Sequence, residues 1–172
     1  MVWTDLHKFC IRFADLEEFD MRNLTFYLQE HDVNCISDHR TTPLHFAALG
    51  TSSSLLQVLL DYRADVNFQN IYGATPLHYA CLTGRRSNVR MLLHSHAIST
   101  IPDVHNETAL HWAVEGENIG IIQILLEHNP QLFRITNNDN NTALDISRIT
   151  ENEAIIRYLE EYENILNNNE AE

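Results

Sequence analysis

Ten histidines, three cysteines and 24 acidic side chains in a chain of 172 residues are the raw material for metal or acid–base chemistry. Three of the histidines, His45, His78 and His111, recur at intervals of 33 residues. Packed helices sit about 8–10 Å apart, whereas each zinc ligand must come within about 2.1 Å of the ion. Side chains at one register of successive units therefore cannot share a metal. His94-Ser95-His96 could hold a transition metal, but it falls at a helix end with no third ligand in the sequence. Cys10, Cys35 and Cys81 are odd in number and include no CxxC, which makes neither a disulfide framework nor a zinc site. No Gly-rich phosphate loop, HExxH or GxSxG is present, and Glu160-Glu161 reads as a charged helix face. No catalytic residue, metal or cofactor is expected, and an enzyme or metal-binding protein is the disfavoured reading.

The elements that carry these histidines repeat. Thr42-Pro43-Leu44-His45, Thr75-Pro76-Leu77-His78 and Thr108-Ala109-Leu110-His111 share one frame of 33 residues, and Thr142-Ala143-Leu144-Asp145 follows after 34. Sixteen residues past each Pro or Ala stands Leu59, Leu92, Leu125 or Leu159. Thr is a good N-cap, and Pro suits the first helical position, where no N–H is needed. Leu44, Ala47 and Ala48 then predict a short helix with a small-residue face, broken by a glycine such as Gly84 or Gly116. Runs such as Leu55-Leu56-x-Val58-Leu59-Leu60 and Ile121-Ile122-x-Ile124-Leu125-Leu126 predict a second, apolar helix. A helix pair of this kind cannot bury its faces alone, so neighbouring pairs must stack.

The 33-residue period and its TPLH-type motif resemble the ankyrin-repeat family over about residues 34–160. The resemblance implies an all-α solenoid of antiparallel helix pairs joined by short turns. It also implies that each repeating His hydrogen-bonds the start of its own helix and the adjacent turn, and that Cys81 is a small core residue. Residues 1–33 would be a degenerate N-terminal capping repeat. Residues 34–66, 67–99 and 100–133 would be repeats, 134–166 a C-terminal capping repeat, and 167–172 a disordered tail. Arg40, Asn106 and Asn140 stand where the turn usually has Gly, as it does at Gly73. Ile98-Ser99-Thr100 and Gln131-Leu132-Phe133 replace the usual Asp-Val-Asn end, so irregular turns are expected there. Thr150-x-x-Glu153 predicts a capping box opening a long final helix with Ile155, Ile156, Leu159, Tyr162, Ile165 and Leu166 on its apolar stripe.

Composition restricts the partner. A formal charge of −13 argues against nucleic acid, because phosphate contacts need clustered Lys and Arg. No apolar run approaches the roughly 20 residues of a membrane span. Met1-Val-Trp-Thr-Asp-Leu-His-Lys has neither a basic start nor an apolar core, so no secretory signal is expected. The expected setting is cytoplasmic, with the nucleus as the alternative, for a protein that is monomeric when free. Charge is uneven: residues 67–99 sum to +3, through Arg85, Arg86 and Arg90, and residues 100–132 sum to −5. Lys8 is the one lysine beside ten arginines.

Function follows from the resemblance as protein binding by an adaptor or inhibitor. The alternative is a host-directed protein of a pathogen or virus, working in the host cytoplasm near the ubiquitin machinery. The missing lysines and the Asn- and Ile-rich composition point that way. In ankyrin-like geometry the turns and the ends of the first helices face a concave groove. Ile71, Tyr72, Leu82 and Val104 would form an apolar centre there, rimmed by His39, His105 and Glu107, with Trp112 as a further anchor. The Arg85/Arg86/Arg90 island is a second candidate contact. Asn67, directly after Asp65-Val66, resembles the ankyrin sites used by the asparaginyl hydroxylase that acts on hypoxia-response factors. Its other reading is a turn held by side-chain-to-backbone hydrogen bonds.

Overall fold

A computed structural model describes residues 31–169 together with Lys8, Cys10, Leu24, Leu28 and Gln29. Most of the expected N-terminal capping repeat, residues 1–33, lies outside the described residues. Helices α1 (Pro43–Leu49) and α2 (Ser53–Asp61) make the first pair, and α3 (Pro76–Leu82) and α4 (Arg86–His94) the second. The third pair is α5 (Ala109–Glu115) and α6 (Ile119–His128), and the fourth α7 (Ala143–Ile149) and α8 (Glu153–Asn169). Among the described residues there is no strand. The helices α1, α3, α5 and α7 stack side by side as an inner row, and α2, α4, α6 and α8 as an outer row. This is the all-α solenoid that the repeat predicted.

Small residues on the inner helices let the rows close. Ala47, Ala48, Ala80, Cys81, Ala113 and Val114 are fully buried, as are Leu44, Leu110, Leu55, Leu59, Leu92 and Leu125. Each such leucine contributes roughly 2 kcal/mol on burial. Gly116 marks a close approach of backbones, because a Cβ added there would strike the carbonyls of Cys81 and Leu82 at the end of α3. Burial pushes the Cys81 thiol well above its usual range, which keeps it an unreactive core group.

The repeating His closes two elements at once. In the first unit the Thr42 N–H donates to His45 Nδ1 (3.1 Å), and His45 Nε2 lies 3.1 Å from the Ala74 carbonyl of the next turn. A nitrogen that faces an N–H must be bare, and one that faces a carbonyl must carry the proton. The ring is therefore the neutral Nε2–H tautomer. His78 repeats this between Thr75 and Glu107, and His111 between Thr108 and Asn141. The fourth unit, with no further turn beyond it among the described residues, has Asp145 instead. Its carboxylate accepts from the Thr142 N–H (3.0 Å) and hydroxyl (2.7 Å), which lowers its pKa.

The turns depart from a glycine pattern where the sequence does. Arg40, Asn106 and Asn140 take positive φ values of 54°, 61° and 60°, matching Gly73 at 71°. Arg40 sits with its guanidinium 5.3 Å over the Phe68 ring, a contact that offsets part of the strain. Between Pro130 and Arg134 the chain winds into a 3₁₀ turn that buries Leu132 and Phe133. This is one of the two irregular turns expected.

Two sequence expectations need correction. Thr150 does not open the last helix but ends α7, and its hydroxyl donates to the Ser147 carbonyl (3.1 Å). Glu151 then turns left-handed (φ 57°), so Asn152 caps α8 by accepting from the Ile155 N–H (3.3 Å). A residue in that conformation cannot belong to a helical first turn, and the cap moves past it. At its far end α8 runs on to Asn169, into the segment read as a tail.

Burial lowers the pKa of His45 and of His78 to about 4, and it lowers that of His111 too. Protons then bind the unfolded chain preferentially between pH 6.5 and 4, and stability falls as the pH falls through that window. At pH 5 His45 and His78 should each cost about 2 kcal/mol relative to pH 7.5. Urea unfolding at pH 7.5, 6 and 5 measures this; equal stability at all three would contradict it.

Candidate protein-binding groove

The candidate groove follows the turn tips and the exposed ends of the inner helices. Each tip is tied by one side chain. Asn70 Oδ1 accepts from the N–H groups of Tyr72 (2.9 Å) and Ala74 (3.1 Å). Asp103 Oδ1 does the same for His105 and Glu107, and Asn137 Oδ1 for Asp139 and Asn141. Successive tips are joined by single backbone bonds: Ile71 N–H to His39 carbonyl (3.1 Å), Val104 N–H to Tyr72 carbonyl (3.0 Å), and Asn138 N–H to His105 carbonyl (2.9 Å). A short backbone lattice thus holds the tips in line.

The side chains expected at the centre of this line are exposed. Ile71 keeps 45% of its surface, Tyr72 52%, Leu82 37% and Val104 54%. Val104 and Tyr72 are adjacent through their backbone bond, and the His39 ring stacks on Tyr72 with centroids 6.4 Å apart. His105 is exposed, and Glu107 is half-buried, with Oε1 accepting from Asn137 Nδ2 (3.0 Å). Trp112 is half-buried rather than free. Its indole N–H donates to Asp103 Oδ2 (3.1 Å), and its ring meets Tyr79 edge to face at 5.5 Å. Tyr79 in turn accepts from Asn70 Nδ2 (2.8 Å), so both aromatics brace the tip of their own unit.

The three residues of the arginine island have different surroundings. Arg85 Nε–H donates to the Leu49 carbonyl at the end of α1 (3.1 Å), and Arg86 Nε–H to Asn118 Oδ1 (3.2 Å). Arg90 is exposed on the outer row, beside an open hollow with Leu93, His94, Ile124, Glu127 and His128. Asn88 is a buried residue that the motif does not reveal. Its amide donates to the carbonyls of Ala47, Ala48 and Gly50, closing the open end of α1 from the next unit. The only signal was a polar residue at an apolar helix position, where the next repeat has Ile121. Among the described residues no group of three or more His, Cys, Asp or Glu side chains is placed to hold a metal ion. No helix among them is long and apolar enough to cross a membrane.

Two stacked rows of helices, with turns aligned along one edge, define a helical repeat solenoid. A family model of ankyrin repeats, three copies long, matches residues 17–103 and again 98–170, and the chain belongs to the ankyrin-repeat family. Repeats of this family generally mediate protein–protein interaction and are typically non-enzymatic. Comparison with curated proteins finds no match.

Asn67 has both ends of its amide engaged across units: Nδ2 donates to the His96 carbonyl (3.2 Å), and Oδ1 accepts from the Ile98 N–H (2.8 Å). Asn34 makes the equivalent contact one unit earlier, to the Asp65 N–H (2.8 Å). Replacing Asn67 with Ala should lower stability by about 1–2 kcal/mol, since it removes two hydrogen bonds that join neighbouring units. Urea midpoints of wild type and Asn67→Ala measure the loss, and an unchanged midpoint would show that the bridge carries no weight.

Proposed function

We propose that this protein is a non-enzymatic adaptor or inhibitor that holds a partner protein across the middle of its concave groove. The observation that supports this most is the run of exposed apolar side chains at Ile71, Tyr72, Leu82 and Val104 on a hydrogen-bonded lattice of tips. Exposed apolar surface costs a free protein solubility and gains nothing for its fold, whereas it forms the centre of an interface. A tyrosine in such a centre is a favoured hot spot, worth about 2 kcal/mol or more on truncation, roughly 30-fold in affinity. The protein works as a monomer in the cytoplasm, or in the nucleus, with its partner.

Tyr72→Ala combined with Leu82→Ala should abolish partner capture from cell lysate, while circular dichroism and the melting temperature stay near wild type. Both residues lie outside the core, so a folded variant is expected. Normal capture by the double mutant would move the contact away from the groove.

A second reading, favoured by the single lysine beside ten arginines, is a host-directed protein that works close to ubiquitin ligases. Arginine keeps the charge but offers no amine for conjugation. Arg90 and Arg157 are exposed, so Arg90→Lys with Arg157→Lys should leave the fold intact. Under this reading that variant has a shorter, proteasome-dependent half-life in cells. An unchanged half-life counts against it.

A further inference from the structure

The middle of the groove has two halves of different chemistry. The second unit brings Ile71, Tyr72 and Leu82, all exposed and all uncharged. The third unit brings Val104 and acids. Residues 100–132 contain five acidic residues and neither lysine nor arginine. Of these acids, Glu115 ends α5, one repeat beyond Leu82 on α3, and Asp103 and Glu107 flank the tip of the same unit. Asp103 is consumed by the fold, with one oxygen on the tip N–H groups and the other on Trp112. Glu107 gives one oxygen to Asn137, and Glu115 is exposed.

These carboxylates act on one another without a lysine or arginine of their own unit among them. Partial burial, and then the charges of Glu107 and Asp103, hold the Glu115 carboxyl above its usual range, with His105 the one opposing influence. The arginines of the second unit do not relieve them. Arg85 is bonded to Leu49 at the loop end of α1, Arg86 to Asn118 beyond the end of α5, and Arg90 lies on the outer row. Carboxylates crowded beside an exposed apolar patch are complementary to a cation carried next to an apolar side chain.

We propose that this stretch of the groove binds an extended basic segment of the partner protein. An apolar side chain sits on Tyr72, Leu82 and Val104, and a lysine or arginine sits between Glu107 and Glu115. Neighbouring units stack about 10 Å apart, and an extended chain advances about 3.3 Å per residue. The cation therefore follows or precedes the apolar anchor by about three residues. This rests on the groove being the docking surface, and it adds the chemistry of the occupant.

A random dodecapeptide library displayed on phage and selected on the immobilised full chain tests both layers separately. The expected outcome is enrichment of peptides with an aromatic or large aliphatic residue spaced about three positions from Arg or Lys. A synthetic peptide of that pattern should lose affinity at least tenfold on Glu107→Gln with Glu115→Gln. It should also weaken as salt rises from 50 to 500 mM, and fail to bind Tyr72→Ala with Leu82→Ala. Glu107→Gln keeps the oxygen that accepts from Asn137, and melting temperatures confirm that each variant is folded. Peptides that need Tyr72 and Leu82 but carry no basic bias, or that bind the double Gln variant as well as wild type, overturn the basic occupant and leave the groove standing. Peptides indifferent to Tyr72 and Leu82, or a selection that enriches nothing, overturn both.

Discussion

Each of His45, His78 and His111 accepts a backbone N–H at Nδ1 and offers Nε2–H to a carbonyl of the following turn. A charged imidazolium has no lone pair for the first bond, and the other neutral tautomer reverses both. One protonation state and one tautomer therefore satisfy the fold. Because the first bond starts a helix and the second reaches the next unit, the ring couples local structure to stacking. It fixes where each turn sits relative to the helix before it, and so lines the tips up closely enough for the Ile71–His39 and Val104–Tyr72 backbone bonds. Where no further turn follows among the described residues, Asp145 stands in and keeps only the local half of the job.

The consequences reach the groove. Asn70, Asp103 and Asn137 tie the tips internally, and Tyr79 and Trp112 brace Asn70 and Asp103 from the inner helices. With so much of the polar side-chain inventory spent on rigidity, the surface left over is chemically simple. It consists of the tip side chains that point away from the lattice and the last residues of α3 and α5. A groove whose backbone is already ordered loses little entropy on binding, which lets a modest apolar centre carry useful affinity.

Much of this was legible because one short motif encodes it. Thr-Pro-Leu-His specifies cap, first turn, core leucine and bridge in four letters, and its recurrence gives the stacking. The exposure of Ile71, Tyr72, Leu82 and Val104 also followed from their place in the repeat. What stayed hidden depends on contacts between units that no local pattern reports. Asn88 looks like a flaw in an apolar helix until the open carbonyls of Ala47, Ala48 and Gly50 are placed opposite it. Arg85 looks like free charge until its Nε finds Leu49. The box at Thr150 failed because Glu151 is left-handed, a backbone state that a glutamate does not advertise.

Three imidazole rings each hold a helix to the turn that follows it. Long-range proton–nitrogen correlation spectra of the folded chain between pH 7.5 and pH 6 report the tautomer and charge of every imidazole. His45, His78 and His111 should all show the neutral pattern with the proton on Nε2 at pH 7.5, and for His45 and His78 that pattern should persist to pH 6. A proton on Nδ1 of any of them, or uptake of a second proton by His45 or His78 before pH 6, would mean that the ring does not bridge its helix to the next turn.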